Sequence, residues 1–245
     1  MLSYNLQNTQ KIYLGSLDVS KLLQGSNEIF SSLQGDPYIN NVSLLLHMDG
    51  ADGSQTFTDS STNNFQVTNF DQVQISTTFK KFGTGSARFD GNVDYLDVNY
   101  NDKLNLSNTD YTIEFWVRFF GISGSPIFLT TSIAGDFDWQ LRLENNALKL
   151  KSFLGEVSAN WIPVVDQWYH IAVVRSGSST NLYIDGQQLA SSNLNPINNN
   201  TNSLKIGGRG DGASLFGNID ELRITKGIAR YTSNFIPQTA PFPNQ

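Results

Sequence analysis

Asp220 and Glu221 in GNIDELRI, Asp136 and Asp138 in AGDFDWQ, and Trp168, His170 and Asp185 in QWYHIAVVRSGSSTNLYIDGQQL are the groupings whose residue types could do chemistry. Two carboxylates about 5 Å apart on one face can cleave a glycosidic bond, one as acid and one as nucleophile. Asp220 and Glu221 are adjacent in what reads as a strand, and adjacent strand residues face opposite sides, so they do not make such a pair. Asp136 and Asp138 have same-face spacing, but Gly135 before them points to a loop or a strand entrance. Neither histidine neighbours a nucleophile elbow, so a Ser-His-Asp site is not expected. His170 sits in a β-branched run between Trp168 and Ala172, where packing accounts for it, and His47 near Asp49 reads as structural too. The segment DGADGSQTFTDSSTNN (49–64) differs: Asp49, Asp52, Asp59 and the amides of Asn63 and Asn64 put several oxygen donors on turns, as a hard cation such as calcium requires. Asp59 and Asn63 would equally serve to cap a turn. Arg209-Gly210-Asp211 spells an adhesion tripeptide, which a Gly-rich turn produces easily by composition alone.

The totals bound what such residues can be part of. The chain has 245 residues, 39% hydrophobic and only 16% charged, enough apolar material for a sizeable core. Twenty-six Asn and twenty Gly mark a turn-rich protein, because both residues accept turn geometry that strand and helix interiors tolerate poorly. The net charge is −6 with no run of Lys or Arg, which argues against nucleic acid or an anionic bilayer as partner. With no cysteine there are no disulfides, thiolate metal sites or Cys nucleophile. MLSYNLQNTQ lacks the basic flank and apolar core of a secretory signal, and no apolar run approaches the ~18 residues of a membrane span, so the expectation is a soluble protein without membrane insertion.

Those residues are to be positioned by strands. YTIEFWVRFF (111–120) alternates, with Ile113, Phe115, Val117 and Phe119 on one side and Thr112, Glu114, Trp116 and Arg118 on the other. WQLRLENNALKLK reads as a hairpin turning at Asn145-Asn146, and Asp185-Gly186 is a second hairpin dipeptide. No 3.6-residue period persists with a cap before it and Gly behind, so helix content should be small, and many short strands with Gly-rich turns predict an all-β jelly-roll sandwich. Upstream, KIYLGSLDVS over KLLQGSNEIF repeats with a ten-residue period, fitting two small hairpins or one meandering ribbon. The expected division is an N-terminal β arm and linker over 1–40 and a main domain over 41–245.

The ordered fragments LLLHMDGADGSQTFTDSSTNNF, KKFGTGSARFDGNVDYLDV, YTIEFWVRF, QWYHIAVVRSGSSTNLYIDG, LKIGGRG and GNIDELRITKGIARYTSNFIPQTAPFP resemble the laminin-G-like, concanavalin A-like jelly-roll family, over about Val42 to Pro243. They look most like its members in tailed-bacteriophage virion proteins, and the KIYLGS-type arm resembles the short β modules that precede them. The resemblance implies a concanavalin A-like sandwich and a structural calcium ion shared by Asp59, Asn63 and Asp220, although Thr62 stands where the family usually has Gly. It implies no catalysis, since hydrolases with this fold commonly carry a Glu-x-Asp-x-x-Glu strand and the chain has none. The expected function is a virion-surface protein, of tail-fibre or capsid-decoration type, with a lectin-like glycan-binding module. Its arm would anchor to other virion proteins and its copies would form a homo-oligomer. The alternatives are a purely structural decoration or cement protein and, further off, a polysaccharide depolymerase. Glycan binding needs an aromatic platform beside fixed hydrogen-bonding groups. Glu114, Trp116 and Arg118 on one face are the candidates, against the alternative that Trp116 packs beneath a crossing loop; Trp161 and the loops 131–138 and 207–216 are further rim candidates.

Overall fold

The computed structural model describes residues 9–14, 17–24, 27–31, 35–107, 109–132, 138–197 and 201–244. In the arm, β1 (Thr9–Leu14), β2 (Leu17–Gln24) and β3 (Asn27–Ser31) pair antiparallel in chain order, the meandering form of the two arrangements the repeat allowed. Its Gly-Ser turns and Asp136 lie outside the described residues.

Fifteen strands follow: β4 (Val42–Leu46), β5 (Val67–Phe70), β6 (Gln74–Ser76), β7 (Ser86–Asp90), β8 (Tyr95–Val98), β9 (Tyr111–Phe119), β10 (Ile127–Thr130), β11 (Gln140–Glu144), β12 (Ala147–Ser152), β13 (Gly155–Asn160), β14 (Trp168–Ser176), β15 (Ser179–Ile184), β16 (Gln187–Ser192), β17 (Leu204–Ile206) and β18 (Phe216–Lys226). They form two antiparallel sheets. One has the order β13-β12-β11-β10-β17-β8-β5; the other runs β16-β15-β14-β9-β18-β7-β6, with β4 also paired to β18. Among the described residues there is no α-helix.

Alternation explains the sandwich. Ile113, Phe115, Val117 and Phe119 of β9 are fully buried in the central core, where they meet Phe128, Leu141 and Leu150 from the facing sheet. Burying each such side chain contributes about 1.5–3 kcal/mol, which makes period 2 the dominant local signal. The hairpins form where the dipeptides place them: Asn145 (φ 53°) and Asn146 (φ 58°) join β11 to β12, and Asp185 (φ 49°) and Gly186 (φ 76°) join β15 to β16, the left-handed pair that a two-residue turn requires.

β9 departs from simple alternation on its other side, because every one of its residues is buried. Two irregular segments cover the outer face of the eight-stranded sheet. In the loop between β6 and β7, the backbone N–H groups of Lys81 and Phe82 donate to Asp220 Oδ2 at 2.6 and 3.1 Å. The segment after β18 crosses the opposite end. Phe235 lies 5.7 Å from the His170 ring and 5.5 Å from Tyr183, while Phe242 packs with Val42 and Leu45. Gly186 permits this crossing, since a Cβ there would meet the Phe235 carbonyl oxygen at 1.9 Å.

β18 carries a β-bulge. Asp220 pairs with Trp116 and Arg223 with Glu114, so β18 uses three steps where β9 uses two, and the extra residue is Glu221 at φ 50°. The jelly roll's own contacts begin before residue 41: Asp36 is buried against Arg223 and Arg230, and Ile39 packs on Val42, Leu45 and Phe242.

Candidate functional site

Because successive outward residues of paired strands stand side by side, the outer face of the eight-stranded sheet is organised in rows. One row is Gln74, Arg88, Asn218, Arg118 and Trp168, running across β6, β7, β18, β9 and β14. A second pairs Asp220 with Trp116 and Trp116 with His170, and a third holds Glu114 and Arg223.

The third row is sealed by ion pairing. Arg223 Nε and Nη2 donate to Glu114 Oε1 at 3.0 and 2.8 Å, and Tyr231 Oη donates to Oε2 at 2.8 Å. Arg223 Nη1 and both terminal nitrogens of Arg230 donate to Asp36 at 2.6–2.9 Å. Burial works to raise the Glu114 carboxyl, but Arg223, His170 and Arg230 overcome it and hold the group far below the usual carboxylate range. The same balance, with Arg230 first among the opposing groups, lowers Asp36. Glu114, expected at a ligand surface, is therefore fully buried and committed to the fold.

The second row is covered as well. Trp116 is 6% exposed: Lys81 Nζ lies 3.9 Å from its ring centroid, and Phe82 and His170 meet it edge-on at 5.9 and 5.2 Å. Trp116 thus packs beneath a crossing loop, the alternative set against its role as a platform. His170 is a packed histidine, with Nε2 3.4 Å from Glu114 Oε2. Asp220 is buried on the other side of Trp116, its Oδ1 without a hydrogen-bond partner among the described residues, and burial first, then Glu221 and Asp49, push its carboxyl up to about 7 against the two loop N–H groups.

Of the calcium set, Asp59 and Asn63 lie between β4 and β5 and Asp220 lies on β18. Leu45 sends its N–H to Asp59 Oδ1 at 3.0 Å and accepts at its carbonyl from Ser60 N–H at 2.8 Å, so Asp59 lies along the edge of β4 that faces away from β18. Its oxygens also accept from Ser61 N–H and Oγ and from Phe65 N–H. Asn63 donates to the Ser43 carbonyl at 2.9 Å. Both cap the turn, while Asp220 sits on β18, where it pairs with Trp116 of β9.

The remaining carboxylate candidates are occupied. The bulge defeats the alternation argument at Asp220-Glu221, since Glu221 comes near enough to raise Asp220. Glu221, however, is taken by His47 Nδ1 at 2.9 Å and by Phe242 N–H at 2.8 Å. Asp138 is buried and accepts from Asn202 at 2.9 Å. Arg209 Nε donates to Asp211 Oδ2 at 2.6 Å, so the charges of the tripeptide are spent on each other. Trp161 packs edge-on against Phe119 and Tyr169.

Only the first row opens to solvent. There a cleft of about 590 Å³ is lined by Phe79, Phe120, Phe216, Arg88, Arg118 and Asp166, with Ser76 and Thr78. The Arg118 guanidinium carbon lies 4.0 Å from the Phe79 ring centroid and 4.9 Å from that of Phe120, its Nη2 donates to Asp166 Oδ1 at 2.7 Å, and its Nη1 has no partner. Phe120 meets Phe79 and Phe216 edge-on at 5.5 and 5.4 Å, and Ser86 Oγ ties down the Phe79 carbonyl. Arg118 alone of the three sequence candidates lines this opening. Phe120 carried a readable signal, an aromatic at an outward position two residues after Arg118; Phe79, Arg88, Asp166 and Phe216 are brought in by tertiary structure.

Comparison with known proteins agrees with this architecture. Domain 4 of AbnA, a GH43 extracellular arabinanase from Geobacillus stearothermophilus solved with arabinotriose, superposes with a TM-score of 0.61 at 20% identity, over 77% of this chain and 94% of that one. The botulinum neurotoxin serotype D binding domain gives 0.60 at 15% identity, over 78% and 49%. The binding domain of botulinum neurotoxin DC, in complex with SialylT, gives 0.57 at 16%, again over 78% and 49%. The chain spans about half the length of these toxin domains, and at such identities the likeness is one of fold. No curated protein matches it in sequence. The sequence profile described as the concanavalin A-like lectin/glucanases superfamily matches residues 90–228, more than half the chain. With two antiparallel sheets in a lectin-like jelly roll and that match, the chain belongs to the concanavalin A-like lectin/glucanases superfamily.

Proposed function

We propose that the protein is a non-enzymatic glycan-binding module displayed on a bacteriophage virion surface, its N-terminal meander anchoring it to other virion proteins and to further copies of itself. The cleft at Arg118 carries the glycan part of this reading. Phenyl faces and edges take up the C–H surface of a sugar, while guanidinium and carboxylate groups fix its hydroxyls. The arabinotriose in complex with the arabinanase domain supports a sugar ligand for this fold. The virion setting rests on the likeness of the arm and the ordered motifs to tailed-phage proteins. Catalysis is not part of the proposal, since Glu114, Asp220 and Glu221 are buried and held by the fold.

The expected result on a glycan array is binding by the full chain and about a tenfold loss on Phe216→Ala, which removes a 43% exposed ring from the cleft. Binding unchanged by Phe216→Ala would place the sugar elsewhere. Calcium bound by Asp59, Asn63 and Asp220 enters only as a proposal; a melting temperature unmoved by adding calcium or chelator would remove it.

A second reading, a decoration protein that packs on its neighbours, is favoured by a different observation. Exposed Phe153, Leu154, Leu189 and Leu194 lie along β13, β16 and their turns, and each of those two strands is one edge of its sheet. Electron microscopy of the particle separates the two readings by whether the Arg118 cleft or this edge is covered.

A further inference from the structure

We infer that the Arg118 cleft is selective for an acidic saccharide, one whose carboxylate is read by Arg88 and Arg118; this rests on the glycan-binding reading above. The chain as a whole carries −6, yet the cleft sets two guanidinium groups against one carboxylate. The single acid, Asp166, is paired to Arg118 Nη2, and its side chain is 65% exposed. Arg118 is itself only 8% exposed and keeps Nη1 unpartnered. A buried guanidinium nitrogen without an acceptor is costly, and a carboxylate that draws the Arg118 head group toward the cleft would remove that cost.

Arg88 supplies the second half. It stands on β7 across Asn218 from Arg118, in the same row, and is exposed. Among the described residues its side chain makes no ion pair or hydrogen bond. A neutral sugar offers these donors only uncharged hydroxyl acceptors, whereas a planar carboxylate matches the fork of a guanidinium and adds charge to the hydrogen bonds. Phe79, Phe120 and Phe216 remain for the ring of the same sugar, so one ligand class uses every group that lines the opening.

Isothermal titration calorimetry on the full chain tests this with matched probes: sialyllactose against lactose, and tetragalacturonate against its carboxyl-reduced form. At least one acidic probe is expected to bind about tenfold or more tightly than its neutral twin, with the difference shrinking as salt rises. Arg88→Gln, at an exposed position, should remove most of that difference by weakening the acidic twin far more than the neutral one, whereas Phe216→Ala should weaken both alike. Equal affinity for the acidic and neutral twins, or an equal loss of both on Arg88→Gln, overturns the acidic selectivity while glycan binding stands. A sulfated lactose that binds as tightly as sialyllactose overturns the carboxylate assignment. Absence of binding by all the probes overturns the selectivity together with the sugar reading beneath it.

Discussion

Glu114→Gln is expected to cost about 3–5 kcal/mol of folding stability, the amount typical of removing one partner from a buried ion pair. Gln still offers an oxygen to Arg223, but the charge that balances two buried guanidinium groups then falls to Asp36 alone. Urea unfolding of wild type and variant at neutral pH measures the difference; a loss under 1 kcal/mol would mean that the network is dispensable. Acid should act in the same direction. Both Glu114 and Asp36 have lowered carboxyl values in the fold, so the unfolded chain binds protons that the folded chain does not. The stability they contribute is complete above the ordinary carboxylate range of about 4 and is lost as pH falls below it. The variant, already without Glu114's share, should show a shallower loss on acidification than the wild type.

Asp220→Asn is expected to do the opposite and stabilise the protein at alkaline pH. Burial raises the Asp220 carboxyl to about 7, so between about pH 4 and 7 the folded state holds a proton that the unfolded state has released. Stability from this group is therefore full below about 4, declines as pH rises through 7, and stays low above it. About three pH units at about 1.4 kcal/mol each set a ceiling of about 4 kcal/mol on the cost of keeping the ionised group in place. Asn occupies the same volume, its oxygen accepts from Lys81 and Phe82 N–H, and it never ionises. Melting temperatures of the two proteins should converge near pH 4 and separate by pH 8, with the variant higher. Parallel curves across that range would show that Asp220 ionises normally in the fold.

The fold was legible because its determinants are local. The β9 alternation, the Asn145-Asn146 turn and the Asp185-Gly186 turn each state their geometry within ten residues, and the structure has them as read. The site was legible only in part, because what decides it is which segment lies over which face. GIARYTSNFIPQTAPFP has no period and reads as coil, yet Phe235 and Phe242 pin it across the sheet and take Glu114 out of contact with solvent. KKFG has no period either, and its backbone N–H groups hold Asp220 while the Lys81 and Phe82 side chains cover Trp116. The Glu221 bulge is a single inserted residue with no sequence mark, and it alone breaks the parity rule that separated Asp220 from Glu221. Asp59 illustrates a different limit: an aspartate that caps a strand edge and one that holds a cation share the same turn chemistry, so only the donors around it tell them apart.

Asp36 also has a mechanical consequence. Among the described residues it is the first after β3 whose side chain the sandwich grips, and it is gripped by Arg223 and Arg230, the former on β18, which pairs with β4, β7 and β9. Tension applied to the chain ahead of Asp36 therefore arrives at a strand in the middle of the sheet and is shared with its neighbours, so a pull from that end would meet resistance before any rim strand began to peel.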